Sequence, residues 1–166
     1  MGLLASQRKK KEKDGCVSEA KKPYYSIIAD GIHVHPTAVN MAYSLHPKGT
    51  ILVTDAMSAM GLGDGMHTLG QHMEVQIKGK RATIVGSDTL AGSAVSMDTC
   101  VRSFKEFTNC SIGEALFSAT VRPSELLQWE KGGKIKVGCT ADLILLDGRL
   151  NVLKCWVAGE RVTSKI

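Results

Sequence analysis

The rhythm of hydrophobic and polar positions changes along the chain, and each change predicts a different element. Residues 1–22 are polar and charged with little periodicity, so they read as a basic, weakly structured N-terminal segment. The folded part begins near "PYYSIIAD", where Tyr24 to Ala29 suit a buried strand. "HPTAVNMAYSLHP" then predicts a short helix bounded by Pro36 and Pro47, with Val39, Ala42, Tyr43 and His46 on one face. A second strand, "TILVTDA", follows at once. Strand, helix and strand joined by short connections predict a right-handed crossover unit of a parallel sheet.

The stretch from 57 to 73, "MSAMGLGDGMHTLGQHM", is rich in Gly and Met and reads as a loop, whereas "EVQIKGKRATIV" alternates around Lys78-Gly79-Lys80 like a β-hairpin. Helical spacing returns after Gly92, with Val95, Met97, Val101 and Phe104 marking an apolar face. "SIGEALFSAT" places Ser111 and Glu114 as a capping box at the start of another helix. Beyond Gly132 the texture becomes strand-rich with Gly-based turns. The pattern therefore predicts an α/β part over residues 23–131 and a small all-β part over 132–166.

A length of 166 residues allows one ordinary domain with a packed core. Runs such as "ADLILL" are far shorter than the roughly 18 to 20 apolar residues of a membrane-spanning helix, and no signal peptide is read, so a soluble, cytoplasmic chain is expected. The formal net charge of +5 looks like a nucleic-acid signature until it is located: "RKKKEKDGCVSEAKK" alone carries a net +4. The remainder is nearly neutral and its aromatics are scattered, which argues against a nucleic-acid partner. Cys16, Cys100, Cys110, Cys139 and Cys155 are widely spaced and odd in number, as expected of reduced thiols, with Cys100 suited to a buried position on a helix.

Reactive groups of parallel α/β folds lie just past the carboxyl ends of the strands. The first strand delivers Asp30, His33 and His35 in "SIIADGIHVHP". The spacing of His33 and His35 permits a metal site, since alternate strand residues share a face, but equally suits two loop histidines. The second strand ends on Asp55 directly after a buried run, where a carboxylate must be paired, hydrated or coordinated. A carboxylate and an imidazole in one cleft suit proton transfer to and from water or a leaving amine, which outlines a hydrolase. In "TLAGSAVSMD" a loop with Gly92 and Ser93 entering a helix offers backbone N–H groups to a polar ligand, or simply a Ser93 N-cap. "GLGDG" at residues 61–65 lacks the lysine and hydroxyl of a phosphate loop. His46, His67 and His72 stand alone, and Trp129 and Trp156 read as packing residues.

Taken in order, "IIADGIHVHP", "ILVTDAMSAMGLGDG", "TLAGSAVSMD" and "GKIKVGCTADLILLD" resemble the C-terminal part of N-acetylglucosamine-6-phosphate deacetylases of the amidohydrolase superfamily. The resemblance implies an α/β fold: the last two strands of a TIM-type (β/α)8 barrel with a hairpin insertion and helices, plus strands of a small β-sandwich. It implies that Asp55 is catalytic, taking a proton from water and passing it to the departing amine. Asp30, Gly31, Ile32 and His33 would bind substrate, His33 at the acetyl carbonyl, together with Leu90, Ala91, Gly92 and Ser93. The reaction implied is release of acetate from an amino-sugar 6-phosphate.

The departures from that pattern bear on activity. The family's divalent metal, zinc, is held by a glutamate and two histidines on earlier strands, which have no counterpart here, so no residue is assigned as a metal ligand. A chain with two barrel strands leaves an unpaired edge. The expectation is therefore a C-terminal fragment or truncated isoform, inactive alone, of an enzyme that is a homodimer when intact. Two other readings stay open. One is a non-catalytic remnant that binds sugar phosphate or a subunit; the other is a myristoylated protein, since "MGLLAS" followed by "RKKK" fits an acylation signal with a polybasic partner, although a membrane association is not favoured.

Overall fold

A computed structural model describes residues 23–70 and 73–162. The basic segment 1–22, its acylation motif, Cys16 and His72 lie outside the described residues. Strand β1 (Tyr25–Ile28) and strand β2 (Thr50–Val53) pair in parallel, Tyr25 opposite Thr50 and Ile28 opposite Val53. Helix α1 (Pro36–Leu45) connects them, as the sequence predicts. Its start is set by Pro36 in the first turn and by His35, whose Nδ1 accepts from the Thr37 N–H at 3.2 Å. Its end is His46, followed by Pro47, which cannot continue the hydrogen-bond ladder.

Alternation along β1 separates two environments. Tyr25 and Ile27 are buried, whereas Ser26 and Ile28 line an open cleft. Ile27, Ala29 and Leu52 join Val39 of α1 with Val101 and Phe104 of helix α2 (Met97–Thr108) in one core. The Tyr43 ring meets Phe104 edge to face at 5.3 Å, and Ala42 packs on the same cluster. His46 packs its ring near Tyr25. Cys100 is fully buried as expected, and burial pushes its thiol up to about 11. Helices α3 (Ile112–Ala119) and α4 (Val121–Leu127) complete this layer. Ser111 caps α3 by accepting from the Glu114 N–H, while the Glu114 carboxylate turns to Arg122, a buried guanidinium on α4 that also donates to the Ser118 hydroxyl.

Two expectations are corrected between β2 and α2. The stretch 57–73 is not all loop: strand β3 (Gly65–Leu69) pairs antiparallel with strand β4 (Met73–Lys78). Its glycines and methionines hide a strand because the pairing partner, not local propensity, fixes it. The expected hairpin forms between β4 and strand β5 (Arg81–Ile84), turning at Gly79 with φ +57°. The second correction concerns Leu90, Ala91, Gly92 and Ser93, which form strand β6 beside β5 instead of a loop running into a helix. Helix α2 starts only at Met97 with Ser96 at its N-cap position, so Ser93 is not a cap and Val95 and Met97 are not both on a helix face. Val75, Ile77, Ala82 and Ala59 form a second small core under this four-stranded sheet.

A separate antiparallel sheet follows, of strands β7 (Leu143–Leu146), β8 (Val152–Val157) and β9 (Glu160–Val162). Trp129 is half exposed. Among the described residues no helix is long and apolar enough to cross a membrane.

Candidate active site

The cleft runs along β1 and the end of β2 to the turns that follow their carboxyl ends. It encloses about 540 Å³ and is lined by Ser26, Ile27, Ile28, His33, Val34, Val53 and Asp55. His33 and Asp55 thus reach one cavity from neighbouring parallel strands, the arrangement their strand-end positions predict. His35 does not join them; it caps α1.

The turn after β1 is built by Asp30. Its carboxylate is buried, and Oδ1 accepts from the N–H groups of Ile32 at 2.9 Å and His33 at 3.0 Å. Oδ2 accepts from the His33 ring at Nδ1, 2.7 Å away. Gly31 makes the reversal possible, at φ +78° with Phe107 close against the place a side chain would occupy. Burial raises the Asp30 pKa, yet the His33 ring and the two backbone N–H groups outweigh it and hold the carboxyl below its ordinary value. The direct partner of His33 is therefore Asp30, not Asp55. The Asp-x-x-His spacing is the sequence signal of this turn, since it lets one carboxylate accept from both the His33 backbone and its ring.

Asp55 sits at φ +49°, in the left-handed region that a non-glycine residue adopts at a cost. The backbone there turns sharply out of β2, and Asp55 is exposed at the cleft mouth. Of the three outcomes open to a carboxylate at the end of a buried run, paired, hydrated or coordinated, the turn selects hydration by leaving Asp55 exposed. Strand β6 locks the turn in place. The Ser93 N–H donates to the Asp55 carbonyl at 3.1 Å, and the Ser93 carbonyl accepts from the Met57 N–H at 2.9 Å, a parallel bridge between Ala56 and Ser93. Gly92 passes Asp55 and Met57 closely at φ +133°. Leu90 to Ser93 are thereby drawn beside Asp55, although the Ser93 side chain is buried and accepts from the Val95 N–H.

Among the described residues, no group of three or more His, Cys, Asp or Glu side chains could hold a metal ion. The two histidines of "HVH" diverge, one to Asp30 and one to a helix cap, so the residues present do not fit a divalent metal by themselves.

A carboxylate and an aspartate-held histidine brought to one cleft by neighbouring parallel strands define the class: an α/β protein with a candidate site at its strand ends. Comparison with known proteins specifies the family. Residues 5–162 match the amidohydrolase family model, and the chain belongs to that family. It is 44% identical over 163 residues to the N-acetylglucosamine-6-phosphate deacetylase of Bos taurus, covering 98% of this chain and 38% of the relative. The crystal structure of the Thermotoga maritima N-acetylglucosamine-6-phosphate deacetylase superposes with a TM-score of 0.75 at 35% identity, over 86% of this chain and 39% of that one. A variant of the Mycobacterium smegmatis enzyme in complex with N-acetyl-D-glucosamine-6-phosphate superposes at 0.76 with 30% identity, over 86% and 38%. The chain thus spans less than two fifths of the length of these relatives. Its fold is a portion of the amidohydrolase barrel together with a small sheet.

Proposed function

We propose that this chain carries the proton-transfer and part of the substrate-binding face of an N-acetylglucosamine-6-phosphate deacetylase. The observation that carries the reading is the shared cleft of His33 and Asp55 at adjacent parallel strand ends, with β6 bridged to the Asp55 turn. In the reaction, water adds to the acetyl carbonyl carbon, the C–N bond breaks, and acetate and the amino-sugar 6-phosphate leave. Asp55, exposed at the mouth, takes the proton from the attacking water and returns it to the departing amine nitrogen. His33 contacts the acetamido group. Gly31 and Ile32, in the Asp30 turn beside His33, and Leu90, Ala91, Gly92 and Ser93, in the strand bridged to the Asp55 turn, complete the proposed substrate-binding set. Zinc is the divalent metal of this reading, to be held by groups other than the described residues. A homodimer and a cytoplasmic setting accompany it, the latter supported by the free thiols of Cys100, Cys110, Cys139 and Cys155. Division of the chain near Gly132 into barrel and small β parts belongs to the same proposal, supported by the separate β7–β9 sheet.

The 166-residue chain itself is expected to release no acetate from N-acetylglucosamine 6-phosphate with added zinc; turnover at roughly 1 to 1,000 per second would overturn the view that it is inactive alone. The site assignment is tested by grafting residues 23–162 in place of the matching segment of the bovine relative. The chimera is expected to release acetate, and Asp55→Asn within it to lower kcat by about 10² to 10⁴-fold. A folded chimera in which Asp55→Asn leaves kcat unchanged would remove Asp55 from the chemistry.

A further inference from the structure

The Asp30–His33 contact determines more than the shape of a turn. An ionised carboxylate can only accept hydrogen bonds, so an imidazole nitrogen 2.7 Å from Oδ2 must carry the proton. In a neutral ring the other nitrogen then has a lone pair and no proton. The acceptor geometry is enforced from the other side as well, because Oδ1 is occupied by the N–H groups of Ile32 and His33 and cannot rotate away without leaving two donors unmatched. Both Asp30 oxygens are therefore engaged inside the protein, and the carboxylate is buried. It has nothing left to offer a ligand, although it belongs to the run of residues expected to bind one.

We infer that Asp30 is a positioning residue that keeps a proton on Nδ1 of His33, which leaves Nε2 as the ring nitrogen to accept an N–H or O–H group of the substrate in the cleft that His33 lines. The partner of His33 is then the amide N–H of the acetamido group or a sugar hydroxyl. A carbonyl oxygen has no hydrogen to give, so the acetyl carbonyl contact implied by the resemblance is replaced. This assignment rests on reading the cleft as an amino-sugar site, but the tautomer itself does not. Carboxylates that hold a working imidazole in one tautomer and orientation recur in unrelated active sites and metal shells, where their loss leaves the ring in place but wrongly protonated.

Asparagine gives a sharp test. In Asp30→Asn the amide oxygen alone can serve the two backbone N–H groups, which forces the NH2 toward Nδ1. That nitrogen must then accept, and the proton moves to Nε2. Long-range ¹H–¹⁵N correlation spectra of the labelled chain at neutral pH report the protonation of each ring nitrogen, with the His33 signals identified by their loss in His33→Gln. The expected result is Nδ1–H with a bare Nε2 in the parent chain and the reversed pattern in Asp30→Asn. An Nε2–H ring or a doubly protonated ring in the parent chain would overturn the inference, as would an unchanged tautomer in a folded Asp30→Asn protein. The parent spectrum decides even if the variant does not fold. A thermal-shift titration with N-acetylglucosamine 6-phosphate on the same sample separates the two readings: an Nδ1–H ring with no shift sustains the positioning role and counts against the substrate.

Discussion

At the scale of single residues, the acid side of the stability profile follows from Asp30. Its carboxyl lies below the ordinary aspartate value in the folded chain because hydrogen bonds from the His33 ring and two N–H groups outweigh a burial that pushes the other way. A folded pKa below the unfolded one means that the unfolded chain binds more protons, so the stabilisation is complete above the unfolded value, about 3.9, and is lost as the pH falls through the folded value. Asp98 works in the same sense: burial raises it, and the Ser96 hydroxyl and the Arg102 guanidinium, 2.7 Å away, bring it down. Urea unfolding followed from about pH 6 downward should therefore show stability falling below about pH 4, with a shallower fall in Asp30→Asn. Identical acid limbs for the two proteins would show that Asp30 titrates alike folded and unfolded. Removal of the acceptor altogether, in Asp30→Ala, leaves two N–H donors unmatched and should lower stability by roughly 1 to 3 kcal/mol.

Among the elements, β1, α1 and β2 were legible because their signals are local: short apolar runs suited to buried strands, a proline in the first turn of the helix, and a second proline after its end. Strands β3 and β6 were not, because each is a strand only through its neighbour. "LAGS" has no strand propensity, yet it hydrogen-bonds to β5 on one side and to the Asp55 turn on the other. The site divided along the same line. Strand-end positions pointed to Asp55 and His33, whereas the exposure of Asp55 depends on a left-handed turn that no residue pattern announces. The β6 bridge gives this turn its stability, and Gly92 allows the bridge. Gly92→Ala would force a side chain into φ +133°, a conformation that L residues rarely adopt. A cost of about 1 to 2 kcal/mol borne locally should raise amide exchange of Ser93 and Met57 by roughly tenfold while leaving Phe104 unaffected. Unchanged protection of those two amides would mean that β6 does not clamp the Asp55 turn.

For the whole molecule, the decisive feature is apolar surface left uncovered. Strand β7 is a continuous run, Leu143-Ile144-Leu145-Leu146, of the kind that normally lies buried on both faces, and among the described residues it is an edge of its three-stranded sheet. Register places Ile144 opposite Cys155 and Cys155 opposite Val162, so Ile144, Leu153, Val157 and Val162 share one face. All four are exposed, Ile144 by 53% and Val157 by 59%. On the neighbouring side Leu127, Trp129 and Leu116 line an apolar groove of about 690 Å³ that Ile144 also enters. Monomeric soluble proteins rarely leave patches of this kind open, and an edge strand presents N–H and C=O groups that can pair with another chain. Each Å² of apolar area removed from water contributes roughly 25 cal/mol, so covering this face favours association of the isolated chain. The purified chain should therefore bind a hydrophobic dye such as ANS strongly and grow in light-scattering mass as its concentration rises. Ile144→Lys combined with Leu153→Lys places charge on that face and edge, and should weaken both signals while the β1–β2 core, on which neither residue packs, keeps its urea midpoint. Dye binding and mass that do not respond to the double substitution would show that the exposed face of β7 and β8 is not the surface through which the molecules meet.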